Sequence, residues 1–263
     1  DNKKWRLMSE EDYQNIRRIE TIGVPLNKLC PIKVGIATLK DIVYFVEDFD
    51  QYYCHKEYNG KVYQIEKGIT RKIVKISSMK NEEQIKNDKR RIIFPYIKEN
   101  GKFKIMSEKY LKEKYTNCYK YLLMAMSELE KRDKGKQSYP VWFAWGRTQG
   151  MDYRGTKLYT RAFYNKPDFM IDEDEDTLFC NGYAVFCKTN IKSIQKILNS
   201  KIMDYYVKKT SLEIEGNYQC YQKNFIEKFT IPNFSKEEWD YLENEDNKEN
   251  INSWLIKKYN IIM

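Results

Sequence analysis

The sequence predicts an α+β fold in one main domain, with mixed or antiparallel sheets, one long central helix and a C-terminal helix. Three observations support this prediction. Short segments rich in β-branched and aromatic residues recur between turn signals, as they do in sheets. A long stretch in the middle of the chain carries apolar residues at helical spacing. The 263 residues, 41% of them hydrophobic, are also enough to bury a substantial core.

The chain opens with residues typical of a helix. Ser9, followed by Asp12, resembles an N-cap with its partner. The apolar residues that follow recur at helical spacing: Tyr13, Ile16 and Ile19. We therefore expect residues 1–22 to form a helical lead-in, which Gly23 and Pro25 end.

Four segments after the lead-in are predicted to be strands: 42–46, 61–65, 72–76 and 91–96. Asn59-Gly60 precedes the second of them and predicts a two-residue hairpin turn. Pro95 is expected to stop the fourth strand, because proline cannot donate to a sheet.

The clearest helix is expected from about Ser107 to Arg132. Its apolar positions alternate in steps of four and three, which places one stripe on a core: Leu111, Tyr115, Cys118, Leu122, Ala125 or Met126, and Leu129. Gly135 is expected to end this helix.

The second half of the chain is predicted to return to strands and then to end in helices. The predicted strands are 141–145, 157–159 and 183–187, with Asn181-Gly182 turning the chain into the last of them. A helix over about 190–207 is started by Thr189 or Asn190, and an apolar segment follows at 229–232. Ser235 and Glu238 form a capping box for a terminal helix at 235–259, and the charged tail after Asn244 is expected to be partly frayed.

The charge of the chain is basic but ambiguous. Lys and Arg number 47 against 38 Asp and Glu, which gives +9 and a pI near 9.0. Lysines (37) greatly outnumber arginines (10), as in proteins from AT-rich genomes. The charge therefore indicates either a polyanionic partner or a bias of composition.

Composition excludes several classes of protein. The single histidine, His55, rules out Cys2His2 fingers and sites that need two histidines. The six prolines are never adjacent, so an Asn-Pro-Pro-aromatic motif is absent. The six cysteines form no C-x-x-C pair, which is typical of small buried residues in a reducing cytoplasm. No apolar run is long enough to span a bilayer, so we expect no membrane partner.

No catalytic, cofactor or metal site is predicted in this chain. Neither a P-loop nor a Gly-x-Gly-x-x-Gly motif occurs. The five consecutive acids at 172–176 are interpreted as a solvated turn rather than as a cation site. Pro167-Asp168 lacks the Glu-x-Lys that a nuclease would place on the following strand. His55 and Cys54 are sequence neighbours in a predicted strand and would point to opposite faces, which favours a structural role.

The positive signal is a run of arginines in a chain that has few. Arg147, Arg154 and Arg161 fall within fifteen residues of one another. The run also contains Gln149 and Lys157, and aromatic residues and glycines surround it. Arginine suits guanine or phosphate, glutamine suits adenine, and aromatic rings suit stacking on an unpaired base. The alternative is an ordinary surface loop in which Arg147 and Gln149 hold the loop internally.

Several motifs occur in the order found in a known family. They are residues 26–38, which end in Gly35-Ile36-Ala37-Thr38, then Ile92-Ile93-Phe94-Pro95-Tyr96, Tyr119-x-Tyr121-Leu122, the runs 129–135 and 142–150, Asn199-Ser200, and 229–232. Together they resemble the TaqI-like C-terminal specificity domain of adenine-specific DNA methyltransferases from restriction–modification systems. The resemblance covers about residues 20–233. Each motif alone is unspecific, whereas their order and spacing are fairly specific.

The resemblance implies that this chain recognises DNA and does not catalyse. In the family, an N-terminal domain binds S-adenosylmethionine and methylates a flipped adenine, and that half is missing here. Because the chain starts at Asp1, we expect it to be a piece of a longer polypeptide. The resemblance divides it into the lead-in (1–22), a target-recognition domain (23–233) and a helical tail (234–263). The implied partners are double-stranded DNA and the catalytic domain of the same polypeptide.

We expect the DNA contacts to divide into two kinds. Lysines would neutralise phosphates: Lys72, Lys75, Lys157, Lys208 and Lys209. The 147–164 loop would read base edges, with Arg147, Gln149 and Arg154 foremost. Arg161 in that loop and Thr38 in the first motif complete the set of candidates. The competing interpretation is a protein–protein interaction module that uses the tyrosine-rich surface and the terminal helix. A free-standing nuclease would need an acidic triad that the sequence does not offer.

Overall fold

The chain folds into helices and short strands that a computed structural model describes for residues 8–135 and 138–263. The helices are α1 (Glu10–Thr21), α2 (Leu26–Leu29), α3 (Asp41–Tyr44), α4 (Glu82–Asn87), α5 (Glu108–Lys114), α6 (Thr116–Met124), α7 (Met126–Glu130), α8 (Ile191–Leu198), α9 (Lys201–Thr210), α10 (Lys223–Ile226), α11 (Lys236–Asn244) and α12 (Lys248–Tyr259). The strands are β1 (Gly23–Pro25), β2 (Ile32–Val34), β3 (Phe45–Asp48), β4 (Tyr53–Tyr58), β5 (Lys61–Glu66), β6 (Thr70–Lys75), β7 (Arg90–Ile93), β8 (Tyr96–Glu99), β9 (Lys102–Ile105), β10 (Lys157–Thr160), β11 (Phe163–Tyr164), β12 (Met170–Asp172), β13 (Leu178–Cys180), β14 (Tyr183–Phe186), β15 (Glu213–Ile214), β16 (Tyr218–Cys220) and β17 (Thr230–Pro232). The α+β class is confirmed.

Two units with separate hydrophobic cores make up the structure. Unit 1 takes in Asp1–Val34, Gly155–Glu175 and Asn181–Met263, and unit 2 takes in Gly35–Arg154 and Asp176–Cys180. Unit 1 therefore contains both the predicted lead-in and the predicted tail, while the predicted domain at 23–233 contributes to both units. The first seven residues of the lead-in lie outside the described part of the chain.

Unit 2 is built on a six-stranded sheet of order β13-β6-β7-β3-β4-β5. β13 runs parallel to β6, and the other pairs are antiparallel. Asn59 and Gly60 turn β4 into β5 with φ of 49° and 72°, so the predicted hairpin is confirmed. A second hairpin joins β8 and β9.

Unit 1 holds a four-stranded sheet of order β12-β10-β14-β2, a three-stranded sheet and the β1–β17 pair. Its core draws on the helices at both ends of the unit, including Ile19 of α1, Tyr206 of α9 and Leu255 of α12. The Ser9 cap is confirmed, because its side chain accepts from the backbone N–H of Asp12. The Ser235–Glu238 capping box is also confirmed at the start of α11.

The predicted long central helix is wrong in its continuity. Most of its stripe is buried as expected, with Tyr115 half-buried, but the segment is three helices, α5, α6 and α7, with breaks at Tyr115 and Ala125. Glu66 of β5 explains the first break, since its carboxylate accepts from the N–H groups of Asn117 and Cys118 at 2.8 and 2.9 Å. These bonds cap a new helix from a distant strand.

The helix expected over 190–207 is likewise two helices. Ser200 caps α9, and the side-chain amide of Asn199 bonds to both backbone groups of Phe169. Asn190 precedes α8 in the left-handed region, with φ of 54°, and makes no side-chain cap. The terminal helix is also divided, into α11 and α12, by a second cap at Asn247.

Two predicted strands differ from the structure. Residues 141–145 form turns, because their backbone groups bond to side chains instead of to a neighbouring strand. Residues 41–44 form the short helix α3, and Lys56 binds its carbonyl end through Ile42 O and Phe45 O at 2.5 and 2.8 Å. The strand β3 therefore begins three residues later than expected, at Phe45.

Candidate nucleic-acid interface

The positive charge of the chain is concentrated in unit 2. Unit 2 carries 25 Lys and Arg against 17 Asp and Glu, a formal charge of +8. Unit 1 carries 22 Lys and Arg against 21 Asp and Glu, a charge of +1. A bias of composition alone would spread the excess over both units, so this asymmetry indicates that unit 2 is suited to a polyanion.

The backbone that carries Arg147 is anchored to the segment 35–39. Arg147 N donates to Ala37 O at 3.0 Å, and Gly146 N donates to Thr38 O at 2.9 Å. A side chain at position 146 would meet Leu39 at 2.4 Å, so only glycine allows this approach. The loop therefore presents Arg147 from a defined backbone position.

Arg147 differs from the other predicted base readers in the bonding of its side chain. It is exposed, and its guanidinium makes no hydrogen bond or ion pair with any residue in the described part of the chain. Gln149 is exposed too, but its amide nitrogen donates to Gly35 O at 3.1 Å. Bidentate recognition of adenine needs both ends of a glutamine amide, and one of the two N–H groups of Gln149 is already in use.

Arg154 lies in a cluster with Arg71 and Asp176. Arg154 Nε is 2.5 Å from Asp176 Oδ1, in an exposed pair. Arg71 donates to Met151 O and Asp176 O, and its guanidinium lies 4.8 Å from the centre of the Phe94 ring. Burial lowers the pKa of Arg71 to about 10, which leaves it charged at neutral pH. Arg71, which the sequence analysis missed, thus fixes the far end of the loop.

Lys72 and Lys75 lie on β6 of unit 2, where Lys72 is exposed and Lys75 is half-buried. The register places Lys72 directly opposite Arg91 on β7. Arg91 is held by Thr70, to which its guanidinium donates at 2.7 and 3.1 Å. Neither lysine is buried, so both remain candidates for phosphate contact.

Two candidates are buried, which corrects the prediction for them. Lys157 is 1% exposed; its Nζ lies 3.4 Å from Asp172 Oδ2 and donates to Asp174 O at 2.5 Å. Thr38 is also 1% exposed and donates its hydroxyl to Asp41. Neither side chain can reach a phosphate or a base from these positions.

The remaining candidates belong to unit 1 and are ion-paired. Arg161 pairs with Asp168 and stacks on Tyr164, with its guanidinium 4.1 Å from the ring centre. Lys208 pairs with Asp204 at 2.6 Å, and Lys209 pairs with Asp12 at 2.7 Å. The candidate set is thus divided: six residues, Thr38, Lys72, Lys75, Arg147, Gln149 and Arg154, fall in unit 2, and the other four fall in unit 1.

Arg132 explains why the segment before the loop is not a strand. This buried side chain donates to Leu129 O at 2.7 Å, Trp142 O at 2.5 Å and Ala144 O, and lies 4.0 Å from the centre of the Tyr139 ring. Tyr44 adds a hydroxyl bond to Ala144 O at 2.9 Å. Arg132 belongs to the 129–135 motif, but the sequence analysis assigned it no role.

Part of the acidic run at 172–176 stabilises the fold. Asp172 is buried and accepts from Tyr159 OH at 2.7 Å and from the backbone of Asp174, which differs from the solvated turn predicted for it. Within the described residues, no group of three His, Cys, Asp or Glu side chains is placed to hold a metal ion. None of the described helices has the length and apolar character needed to cross a membrane.

No family model matches the chain, and a search of curated proteins finds no match.

Proposed function

We propose that this chain binds double-stranded DNA through unit 2, as the target-recognition part of an S-adenosylmethionine-dependent, adenine-specific DNA methyltransferase of a cytoplasmic restriction–modification system. One observation carries the proposal: unit 2, with a formal charge of +8, contains a loop that presents an exposed Arg147, whose guanidinium is not bonded to any of the described residues. Phosphate neutralisation supplies affinity, and a donor on a fixed backbone supplies discrimination between bases.

The contacts divide by accessibility. Arg147 has its guanidinium available for a guanine edge, which takes two parallel N–H bonds. Lys72 and Lys75 supply phosphate contacts from β6. Arg154 contacts a third phosphate after giving up its exposed ion pair with Asp176. Losing that pair costs little free energy, because exposed ion pairs contribute at most about 1 kcal/mol to stability. Lys157 and Thr38 take no part.

Methyl transfer belongs to a separate catalytic domain in this proposal. That domain would bind S-adenosylmethionine and take up the flipped adenine, which costs a few kcal/mol of unstacking. The chain described here contributes the discrimination that brings one adenine to that domain.

A protein–protein interaction module is the second candidate. It is favoured by two adjacent apolar side chains at the end of α6, Leu123 and Met124, which are 42% and 59% exposed. Exposed apolar residues of this kind occur at interfaces as well as singly on ordinary surfaces.

Selection from a pool of duplexes with a randomised segment tests the proposed function. The protein is expected to enrich one sequence that contains an adenine, and to bind it more tightly than a scrambled duplex. Binding to both duplexes should weaken by orders of magnitude between about 50 and 200 mM salt. Absence of enrichment would contradict target recognition, and absence of any binding at low salt would favour the interaction module.

A further inference from the structure

The cysteines of unit 1 include a pair placed face to face. All six cysteines of the chain are buried and carry free thiols. Cys30 Sγ lies 3.2 Å from Cys187 Sγ, although 157 residues separate them in sequence. Cys30 is 1% exposed and Cys187 6%, and both belong to the core of unit 1.

The sheet explains why these two thiols meet. β2 and β14 are antiparallel, with Ile32 opposite Val185. Continuing that register by two residues places Pro31 opposite Phe186 and Cys30 opposite Cys187. The backbone agrees, since Phe186 N donates to Pro31 O at 2.9 Å and Cys30 has extended dihedral angles. The strand register therefore places the two cysteines opposite each other, and their proximity does not depend on the side-chain rotamers alone.

The register also fixes the type of position. Phe186 and Pro31 form the hydrogen-bonded pair, so the next pair, Cys30 and Cys187, is of the non-hydrogen-bonded kind. Such pairs bring their Cα atoms to about 4.5 Å. Disulfides need about 4.4–6.8 Å between Cα atoms, so the backbone already satisfies this requirement.

We propose that Cys30 and Cys187 are a site of reversible oxidation, at which hydrogen peroxide converts the two thiols into a disulfide. One thiolate attacks a peroxide oxygen, the O–O bond breaks, and water leaves with the proton, which gives a sulfenic acid. The second sulfur attacks the first, the S–O bond breaks, an S–S bond forms, and a second water leaves. The two sulfurs are oxidised and the peroxide is reduced, and a dithiol reductant reverses the change.

The disulfide adds a covalent link within unit 1. It joins the residue after α2 to the residue after β14 and closes a long loop of the unfolded chain. Long closed loops stabilise the folded state most, so the oxidised protein is expected to melt several degrees higher than the reduced protein.

Thiol counting on the native protein tests the site. The protein is treated with hydrogen peroxide, unfolded and alkylated, and the modified cysteines are counted by mass spectrometry. Four of the six cysteines are expected to be alkylated, with a mass loss of about 2 Da and one linked peptide that contains both Cys30 and Cys187. The linked peptide should disappear after reduction.

Two variants provide the control. Cys187→Ala should yield no disulfide, whereas Cys220→Ala, which removes another buried cysteine of unit 1, should still form it. Six alkylated cysteines in the peroxide-treated wild-type protein would overturn the proposal, as would a disulfide between other residues or oxidation to sulfinic acid without a linked peptide. The wild-type measurement decides the matter even if a variant fails to fold.

Discussion

Arg147 is the residue on which base recognition depends. Its backbone is bonded to Ala37 while its guanidinium makes no hydrogen bond or ion pair with the described residues, so replacing it should leave the fold intact. We expect Arg147→Ala to reduce the discrimination between the selected duplex and a scrambled one by about 1–3 kcal/mol. Titrations of both duplexes by fluorescence anisotropy would measure this difference.

Arg154→Ala is the matched control for that variant. Its side chain lies in the same loop but is paired with Asp176, so we expect similar weakening on both duplexes. If Arg147→Ala weakened both duplexes equally, Arg147 would be a phosphate contact and not a base reader.

We expect Arg132 to stabilise the backbone conformation of the 141–146 segment. It donates to three backbone carbonyls from a buried position. Arg132→Ala removes the guanidinium donor from all three carbonyls, of which Ala144 O still accepts from the Tyr44 hydroxyl, and we expect it to lower the free energy of unfolding by at least about 3 kcal/mol. Urea denaturation would measure the loss.

The conservative variant sharpens this test. Arg132→Lys keeps the charge but cannot span the carbonyls of Leu129, Trp142 and Ala144 together, so an intermediate loss is expected. Losses below about 1 kcal/mol in the alanine variant would mean that Tyr44 and Tyr96 hold the segment without Arg132.

At the scale of the element, the break between α5 and α6 depends on Glu66. Its carboxylate caps α6 at the N–H groups of Asn117 and Cys118. We expect Glu66→Ala to lower the free energy of unfolding by about 1–2 kcal/mol, and Glu66→Gln to lower it less, because the amide oxygen still accepts. Glu57→Ala, on the exposed surface of β4, should change stability by less than about 0.5 kcal/mol. Equal effects at both positions would contradict a capping role for Glu66.

Glu66 also shows which elements could be predicted from the sequence. The β4–β5 hairpin was predictable because its signal, Asn59-Gly60, lies within the turn itself. The break at Tyr115 was not, since the group that caps α6 lies 51 residues away. The same holds for residues 141–145, whose apolar run reads as a strand until Arg132 and Tyr44 bond to its carbonyls. The hairpin at Asn100-Gly101 had a local signal that the sequence analysis did not use.

The residues of the candidate site, like the elements, were predictable only in part from the sequence. The scarcity of arginine drew attention to Arg147, which the structure leaves exposed. Lys157 belongs to the same run, but its environment depends on Asp172 and Asp174, which meet it across a sheet. Residue type predicts which side chains are able to bind DNA, whereas burial and pairing decide which of them are free to do so.

At the scale of the whole molecule, the location of the positive charge is more informative about a binding partner than the total charge. The +9 of the chain is mostly the +8 of unit 2, while the 22 basic and 21 acidic residues of unit 1 nearly cancel. Within unit 1 many of the cations are also paired, such as Lys209 with Asp12. A polyanion is therefore expected to be attracted to one unit only.

Charge reversal in each unit tests this partition. Lys75→Glu with Arg147→Glu lowers the charge of unit 2 by four, and Lys188→Glu with Lys236→Glu lowers the charge of unit 1 by the same amount. Both double variants have the same total charge, and Lys188 and Lys236 are exposed, so the comparison separates the location of the charge from its total. Each phosphate contact contributes about −0.9 to the slope of log affinity against log salt. We therefore expect the unit 2 variant to bind duplex DNA more weakly, with a slope flatter by about one because Lys75 is the phosphate contact of the two, while the unit 1 variant keeps the slope of the wild-type protein. Equal flattening in both variants would show that DNA responds to total charge alone, and the assignment of binding to unit 2 would fail.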